Sequence, residues 1–118
     1  MKYILIVDDD VNLCLALQEE LIAAGYRAEY VISADEVFPV LEKGKPDLML
    51  LDLKMPVHDG FYVLDQLNKR SIQMRVIVLT AYADVKSAIE AAKLGAIDFI
   101  SKPYDVDDLL FALGRALQ

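Results

Sequence analysis

The chain has 118 residues, a hydrophobic fraction of 56% and a formal net charge of −7 at pH 7. This length and composition suit one domain with its own core, so we expect residues 1–118 to form a single domain. The acidic excess argues against direct binding of nucleic acid, whose phosphates attract Lys and Arg. No apolar run approaches the roughly 18 residues that cross a bilayer, so a membrane is not an expected partner either.

The single cysteine, Cys14, excludes an internal disulfide and is typical of a reducing compartment. It shares a helical apolar pattern with Leu13, Leu17 and Leu21. We therefore predict that it is a small buried side chain rather than a reactive thiol. A cytoplasmic location is expected.

The chain begins with a predicted strand, an acidic loop and a helix. Tyr3 to Val7 is a β-branched and apolar run that stops at Asp8-Asp9-Asp10. The apolar period then becomes helical, with Asp10 placed to cap the helix and Gly25 to end it. A second strand is predicted around Ala28 to Ile32.

The second helix is predicted to be irregular. Ser33 and Glu36 have the Ser-x-x-Glu spacing of a capping box. Pro39 falls near the sixth position of the helix that this box would start, where it removes a backbone donor and clashes with the preceding turn. We expect this helix to be kinked, or to form regularly only after Pro39.

The central strand is the most distinctive. Leu48 to Leu51 is an unbroken apolar run, as expected for a strand buried on both faces, and Asp52 follows it directly. Pro56 and Asp59-Gly60 then predict a loop. Asp52 therefore lies where open α/β sheets place their ligands and chemistry.

The second half of the chain continues the alternation of helix and strand. Its predicted elements are a helix from Phe61 that stops before Ser71, a strand over Arg75 to Leu79, a helix capped by Asp84 and closed by Gly95, a strand over Ile97 to Ile100, and a final helix capped by Asp105.

Five strands alternating with five helices are typical of an α/β fold with a parallel sheet covered on both faces. Right-handed crossovers bring the carboxyl ends of all strands to one edge. We predict a flavodoxin-like, doubly wound sheet with strand order 2-1-3-4-5, because this order places strands one and three side by side at a switch point. Asp8 and Asp9 would then lie next to Asp52.

Residues with useful chemistry follow four of the five strands, and these residues are Asp8, Asp9, Asp52, Thr80 and Lys102. Three close carboxylates repel one another unless a cation lies among them, and Mg²⁺ suits such an acidic edge. One carboxylate could then attack phosphorus and form an aspartyl phosphate. Mg²⁺, an ammonium and a hydroxyl would neutralise the oxygens of the transferring group.

Each of these residues also has a simpler explanation. Asp8 to Asp10 could only cap the first helix, Thr80 could be an ordinary strand-end hydroxyl, and Lys102 could be a solvated surface side chain. Their joint placement at one edge of the sheet favours a site.

Four segments carry a recognisable pattern. They are Ile-Leu-Ile-Val-Asp-Asp-Asp at 4–10, Leu-Leu-Asp-Leu-Lys-Met-Pro-Val-His-Asp-Gly at 50–60, Val-Leu-Thr-Ala-Tyr at 78–82 and Gly-Ala-Ile-Asp-Phe-Ile-Ser-Lys-Pro-Tyr at 95–104. Over essentially its whole length the chain resembles the receiver domain of bacterial two-component response regulators. The resemblance implies that Asp52 accepts a phosphoryl group from a sensor histidine kinase or a histidine phosphotransfer domain, in a Mg²⁺-dependent reaction. Such a domain catalyses only its own phosphorylation and dephosphorylation.

The resemblance also implies a role for each residue around Asp52. Asp9 would be a direct Mg²⁺ ligand, Asp8 would hold a metal-bound water, and the backbone carbonyl of Lys54 would be a further ligand. With Asp52, these residues form the expected metal site.

The same resemblance assigns the phosphoryl contacts and the switch. Thr80 and Lys102 would bind the phosphoryl oxygens, and Phe99 would change its rotamer on activation. The bond between Lys102 and Pro103 would be cis, which an X-Pro bond adopts at modest cost. The surface of the fourth helix, fifth strand and fifth helix would carry the output, either to an effector domain or to a second copy in a homodimer.

Two residues beside the site are expected to modulate it. Lys54 and Tyr82 resemble the corresponding pair in receivers of the nitrogen-regulator class and the sporulation phosphorelay, and both are large enough to hinder an attacking water. His58 lies in the same loop as Lys54, and we expect it to be a solvent-exposed residue outside the site.

Two other classes of function remain open from the residues. A metal-dependent phosphohydrolase with an aspartyl intermediate could use Asp8 as nucleophile and Asp10 as acid/base, but it needs a substrate pocket for which short loops leave little room. A nucleotide or flavin binder of similar topology would carry a Gly-rich loop after the first strand, where this chain is acidic.

Overall fold

The computed structural model describes residues 1–118 and contains five strands and five α-helices in alternation. The elements are β1 (Tyr3–Val7), α1 (Val11–Ala23), β2 (Arg27–Val31), a 3₁₀ turn (Ala34–Glu36), α2 (Val37–Lys43), β3 (Leu48–Leu51), α3 (Gly60–Lys69), β4 (Val76–Thr80), α4 (Val85–Lys93), β5 (Asp98–Ser101) and α5 (Val106–Ala116). The longest helix, α1, has 13 residues, and no helix of the structure could span a lipid bilayer.

All neighbouring strands are parallel, and their order in the sheet is β2-β1-β3-β4-β5. The predicted fold class and strand order are therefore confirmed. β1 and β3 have the predicted bounds, whereas β2 lies one residue earlier and β4 and β5 lie one residue later than predicted. The shift of β4 and β5 follows from backbone pairing, because their ladder continues to Thr80 and Ser101, beyond the last apolar residue of each strand.

The sheet divides the core into two apolar clusters. On one face, Cys14, Leu17 and Leu21 of α1 pack with Leu109 and Leu113 of α5. The other face is covered by α2, α3 and α4, whose buried residues include Val37, Phe38, Val63, Leu64, Leu67 and Ala91. Cys14 is fully buried, as predicted.

Aspartates cap four of the helices. Asp10, Asp84 and Asp105 each accept a hydrogen bond from the backbone N–H three residues ahead, which confirms their predicted positions. Asp59 caps α3 in the same way, with its carboxylate accepting from the N–H of Tyr62.

The prediction for α2 is wrong in its details. The hydroxyl of Ser33 bonds the carboxylate of Glu36 at 2.9 Å instead of a backbone N–H, so the capping box does not form. The turn at Ala34–Glu36 is 3₁₀, and α2 begins at Val37. Pro39 is therefore the third residue of α2, in the first turn, where a backbone N–H has no partner within the helix and its loss costs little.

Candidate functional site

Three aspartates meet where β1 and β3 end. Asp8 follows β1 and is 2% exposed, while Asp52 follows β3 and is 6% exposed. Asp9 is exposed to solvent. One carboxylate oxygen from each of these residues lies within 4.8 Å of the others. The structure thus brings together the three carboxylates that the strand order predicted to be neighbours.

Backbone hydrogen bonds hold these aspartates at the sheet edge. The N–H of Asp52 donates to the carbonyl of Val7 at 2.9 Å, and that of Asp8 donates to Val31 at 3.2 Å. The sheet pattern therefore continues one residue past each strand. The carboxylate of Asp8 also accepts from the N–H of Asp10 at 2.9 Å, which fixes its orientation.

Lys102 supplies the positive charge of the site. Its Nζ lies 2.5 Å from Oδ2 of Asp8 and 3.4 Å from Oδ2 of Asp52. Its backbone N–H donates to the carbonyl of Thr80 at 2.8 Å, which ties the loop after β5 to β4. The bond between Lys102 and Pro103 is cis, as the resemblance implied.

Burial and charge shift the pKa values of this ion pair. Burial raises the pKa of Asp8 and the negative charge of Asp52 adds to this, while the hydrogen bonds from Lys102 and Asp10 oppose it. Burial lowers the pKa of Lys102, but its hydrogen bond to Asp8 and the charge of Asp52 outweigh this, and the net shift is upward. Lys102 is therefore a protonated ammonium at neutral pH.

The donor set fits a hard divalent cation. Three carboxylates and one ammonium leave two negative charges unbalanced within a few Å. Carboxylate and carbonyl oxygens are the ligands that Mg²⁺ prefers, and Lys54, whose carbonyl is the fourth expected ligand, lies two residues after Asp52. The backbone N–H of Lys54 donates to Oδ1 of Asp52 at 3.4 Å, so the loop turns back toward this carboxylate.

Thr80 ends β4 and is completely buried. Its hydroxyl accepts a hydrogen bond from the N–H of Tyr82 at 3.2 Å. A hydroxyl that accepts one hydrogen bond still has its own proton to donate. Thr80 is therefore equipped to act as the hydroxyl donor that the site was predicted to contain.

Lys54 and Tyr82 are joined to each other. The Lys54 ammonium lies 4.7 Å from the centroid of the Tyr82 ring, a cation–π contact between the loops that follow β3 and β4. Both side chains are exposed. The two expected modulators therefore form one unit.

Phe99 lies in β5 beside Val78 of β4. It is partly buried and packs against the core cluster under α2, α3 and α4. A cavity of about 230 Å³ adjoins it, lined in part by Ala88, Ala92 and Ala96. The small side chains of α4 and of the segment that follows it thus leave open space next to this aromatic ring.

His58 lies outside the acidic cluster, as expected, and its side chain is 41% exposed. Its ring stacks on Tyr62 with centroids 3.9 Å apart, and its Nδ1 lies 3.0 Å from Oδ1 of Asp35. The ring is therefore exposed in part, with an aromatic neighbour on α3 and a carboxylate on the 3₁₀ turn in contact with it.

Gly60 is a site residue that sequence reasoning missed. A Cβ at this position would clash with the carbonyl oxygen of Asp52 and lie 2.8 Å from Cα of Leu53. The N–H of Gly60 donates to the carbonyl of Leu53 at 3.0 Å. The Asp59-Gly60 pair indicated only a turn, but the glycine is needed because α3 starts against the backbone of Asp52.

Comparison with known proteins agrees with this arrangement. A sequence model of the response regulator receiver domain matches residues 4–114. The DNA-binding transcriptional regulator NtrC of Klebsiella pneumoniae is 36% identical over 112 residues, 95% of this chain and 24% of that protein. The transcriptional regulatory protein ZraR of Klebsiella oxytoca is 39% identical over 117 residues, 97% of this chain and 26% of that protein. The chain thus spans about a quarter of the length of these relatives.

Solved structures show the same likeness. A CheY-like receiver domain from Methanospirillum hungatei superposes with a TM-score of 0.92 at 32% identity, covering 99% of this chain and 94% of that one. The response regulator TrrA from Thermotoga maritima, solved in complex with Mg²⁺ and BeF, gives a TM-score of 0.88 at 31% identity, covering 99% of this chain and all of that one. The chain belongs to the receiver domain family of response regulators, the phosphoacceptor switches of two-component signalling.

Proposed function

We propose that Asp52 is the phosphoacceptor of this receiver domain and that a histidine kinase or a histidine phosphotransfer domain is its donor. The observation that carries the proposal is the position of Asp52. It directly follows the central strand β3, and its carboxylate lies beside the Lys102 ammonium and two further carboxylates. A nearly buried carboxylate with a cation at hand is suited to attack phosphorus.

The residues around Asp52 divide the remaining work. A carboxylate oxygen of Asp52 forms the new bond to phosphorus while the bond to the donor imidazole breaks. The Lys102 ammonium and the Thr80 hydroxyl bind the phosphoryl oxygens, whose negative charge has to be compensated in the transition state. When bound, Mg²⁺ would neutralise the rest of this charge, with Asp9, Asp52 and the Lys54 carbonyl as its ligands and Asp8 holding a metal-bound water.

The phosphohydrolase alternative receives no support from the geometry. Asp10, which it would use as acid/base, is the N-cap of α1, and its Oδ1 accepts from the N–H of Leu13 at 3.1 Å. The larger surface cavities are lined by residues other than the acidic cluster. We infer that the domain catalyses only its own phosphorylation and dephosphorylation.

The test is intact-mass spectrometry after incubation with acetyl phosphate or phosphoramidate, with Mg²⁺ or with a chelator. We expect one phosphoryl group on the wild type in the presence of Mg²⁺, and none on Asp52→Asn. Asp65→Asn is the matched control, since it neutralises a carboxylate that is paired with Lys69 on the surface. Equal labelling of the wild type and Asp52→Asn would remove Asp52 from this role.

We also propose that the output surface is formed by α4, β5 and α5. The packing of α4 supports this, because Ala91 is its one buried residue and Val85 and Ile89 are 76% and 52% exposed. Movement of Thr80 toward the phosphoryl group and of Phe99 inward would bias this weakly packed helix toward a second arrangement. A partner or a second copy of the domain would bind the altered surface.

NMR spectra with and without fluoroberyllate, which stands in for the phosphoryl group, test this route. We expect chemical shift changes along α4 and at Phe99 as well as in the loops of the site. Changes confined to the loops around Asp8, Asp52 and Lys102 would contradict it.

The relatives contain long segments that this chain does not match, and such segments could carry out the response to phosphorylation. NtrC is a DNA-binding transcriptional regulator, and this chain matches about a quarter of its length. We propose that any contact with DNA belongs to an effector domain and not to this acidic domain, whose expected location is the cytoplasm.

A further inference from the structure

Tyr104 and Glu20 form a hydrogen bond that nothing in the proposed function requires. The Tyr104 hydroxyl donates to Oε1 of Glu20 at 2.5 Å, across 84 residues of sequence. Tyr104 lies two residues after Lys102, whereas Glu20 lies in α1, the helix that follows Asp8 and Asp9. The bond therefore joins the segment that carries the Lys102 ammonium to α1, the helix that follows the carboxylates of Asp8 and Asp9.

The Tyr104 hydroxyl adds a hydrogen bond to the packing of the ring. The Tyr104 ring packs against the core cluster under α1 and α5, a contact that phenylalanine would also make. Burial raises the pKa of Tyr104 and the bond to Glu20 raises it further, so the hydroxyl is a donor at neutral pH. A hydrogen bond to a carboxylate is among the stronger kinds in proteins.

Lys102 needs support on both sides of its backbone. On one side its N–H is bonded to the carbonyl of Thr80 at 2.8 Å. The Lys102 ammonium contacts Asp8 in this structure. To bind a phosphoryl group on Asp52 as well, the loop that carries Lys102 has to keep its position. On the other side, Pro103 has no N–H to contribute. The next side-chain anchor along the chain is the bond from Tyr104 to Glu20.

We propose that the Tyr104–Glu20 hydrogen bond is a positioning device that holds Lys102 where it binds the phosphoryl group. This inference rests on the proposed function and adds two residues to it, neither of which touches the reacting atoms. Losing the bond leaves the Lys102 ammonium intact but less well placed, and small misplacements of such groups slow a reaction considerably.

The experiment measures the rate of phosphorylation by phosphoramidate with saturating Mg²⁺. We expect Tyr104→Phe and Glu20→Met each to lower the rate about fivefold, and the double variant to lower it no further. Glu20→Gln keeps an oxygen that accepts the hydrogen bond, so its rate should stay within about twofold of the wild type. Glu19→Met is the matched control, since it removes an exposed carboxylate from the neighbouring position of α1 and should have no effect.

Repeating Tyr104→Phe in a Lys102→Met background separates positioning from general loosening. If the bond acts through Lys102, the second substitution changes the remaining rate by less than about twofold. Equal slowing in both backgrounds would overturn the inference, and so would a wild-type rate in Tyr104→Phe. Thermal melts confirm that each variant is folded. A wild type that takes no phosphoryl group at all would instead refute the proposed function.

Discussion

The ion pair between Lys102 and Asp8, at 2.5 Å, is the shortest in the structure. The same Asp8 carboxylate is an expected partner of Mg²⁺, so the ammonium and the metal draw on one negative charge. Lys102→Met should therefore raise the affinity for Mg²⁺, by about three- to tenfold, while it slows phosphorylation. Because the chain has no Trp to report binding, the affinity is measured by calorimetry or NMR titration. Lys69→Met, which removes a surface ammonium, is the control, and an unchanged or weaker affinity in Lys102→Met would contradict the competition.

The buried charge of Asp8 should destabilise the metal-free domain. Its pKa is raised chiefly by burial, so folding favours the protonated form, and the contribution to stability is lost as the pH rises from the ordinary value of 3.8 through the raised pKa. Asp8→Asn has no such charge and should be more stable than the wild type at pH 7 in the presence of a chelator. Added Mg²⁺ should then stabilise the wild type more than the variant. Urea denaturation at pH 4 and pH 7 measures this, and a gain for Asp8→Asn that shrinks as the pH rises would contradict it.

Gly60→Ala should damage both stability and the site. The new Cβ would clash with the carbonyl of Asp52, and backbone atoms cannot yield as a flexible side chain can. We expect a loss of about 2 to 3 kcal/mol in the free energy of unfolding and slower phosphorylation of the protein that remains folded. Gly114→Ala is the matched control, because a Cβ there meets no atom within 4 Å. Similar stability of the two variants would show that α3 can move away from Asp52.

Val57 is a β-branched residue with φ at +66°, in the loop between β3 and α3. Val57 is 91% exposed, so burial of its side chain does not offset the energetic cost of this backbone conformation. Val57→Asn should raise the free energy of unfolding by about 0.5 to 1 kcal/mol, since Asn adopts the left-handed region more readily. Val57→Ile keeps the branched Cβ and should show no gain. Equal stabilities of the two variants in urea denaturation would rule out strain at this position.

The contact between Lys54 and Tyr82 should lengthen the life of the aspartyl phosphate. Both side chains are exposed in the loops beside Asp52, and their cation–π contact holds them together. Truncation in a Lys54→Ala, Tyr82→Ala double variant should open the path of an attacking water and speed hydrolysis about three- to tenfold. The decay of the phosphorylated mass peak after donor removal measures this rate. A change of less than about twofold would show that neither side chain shields the phosphoryl group.

The sequence predicted best where local pattern and burial agree. β1 and β3 are apolar throughout and buried on both faces, and their bounds matched the prediction. Thr80 and Ser101 were left out of their strands because polar side chains give no hint that backbone pairing continues. The predicted position of Pro39 within α2 was wrong by about one helical turn, because residues Ala34–Glu36 form a 3₁₀ turn and α2 begins only at Val37.

Features that depend on contacts distant in sequence had no comparable signal. The close approach of Gly60 to Asp52 requires knowing where α3 starts in space. The bond from Tyr104 to Glu20 joins residues 84 positions apart, and neither belongs to a motif that indicates the other. The strand order, by contrast, was sufficient to bring Asp8, Asp9 and Asp52 to one place, because parallel strands must end at a common edge.

α4 is held to the rest of the domain more firmly at its carboxyl-terminal end than at its amino-terminal end. Its one buried residue, Ala91, lies near its carboxyl end, where the side-chain amide of Asn68 also donates to the carbonyl of Leu94 at 2.8 Å. The opposite end, at Asp84 and Val85, follows Thr80 by a few residues and is exposed. Because only the carboxyl-terminal end is held, we expect a small displacement at Thr80 to pivot α4 about that end and to move its exposed side chains.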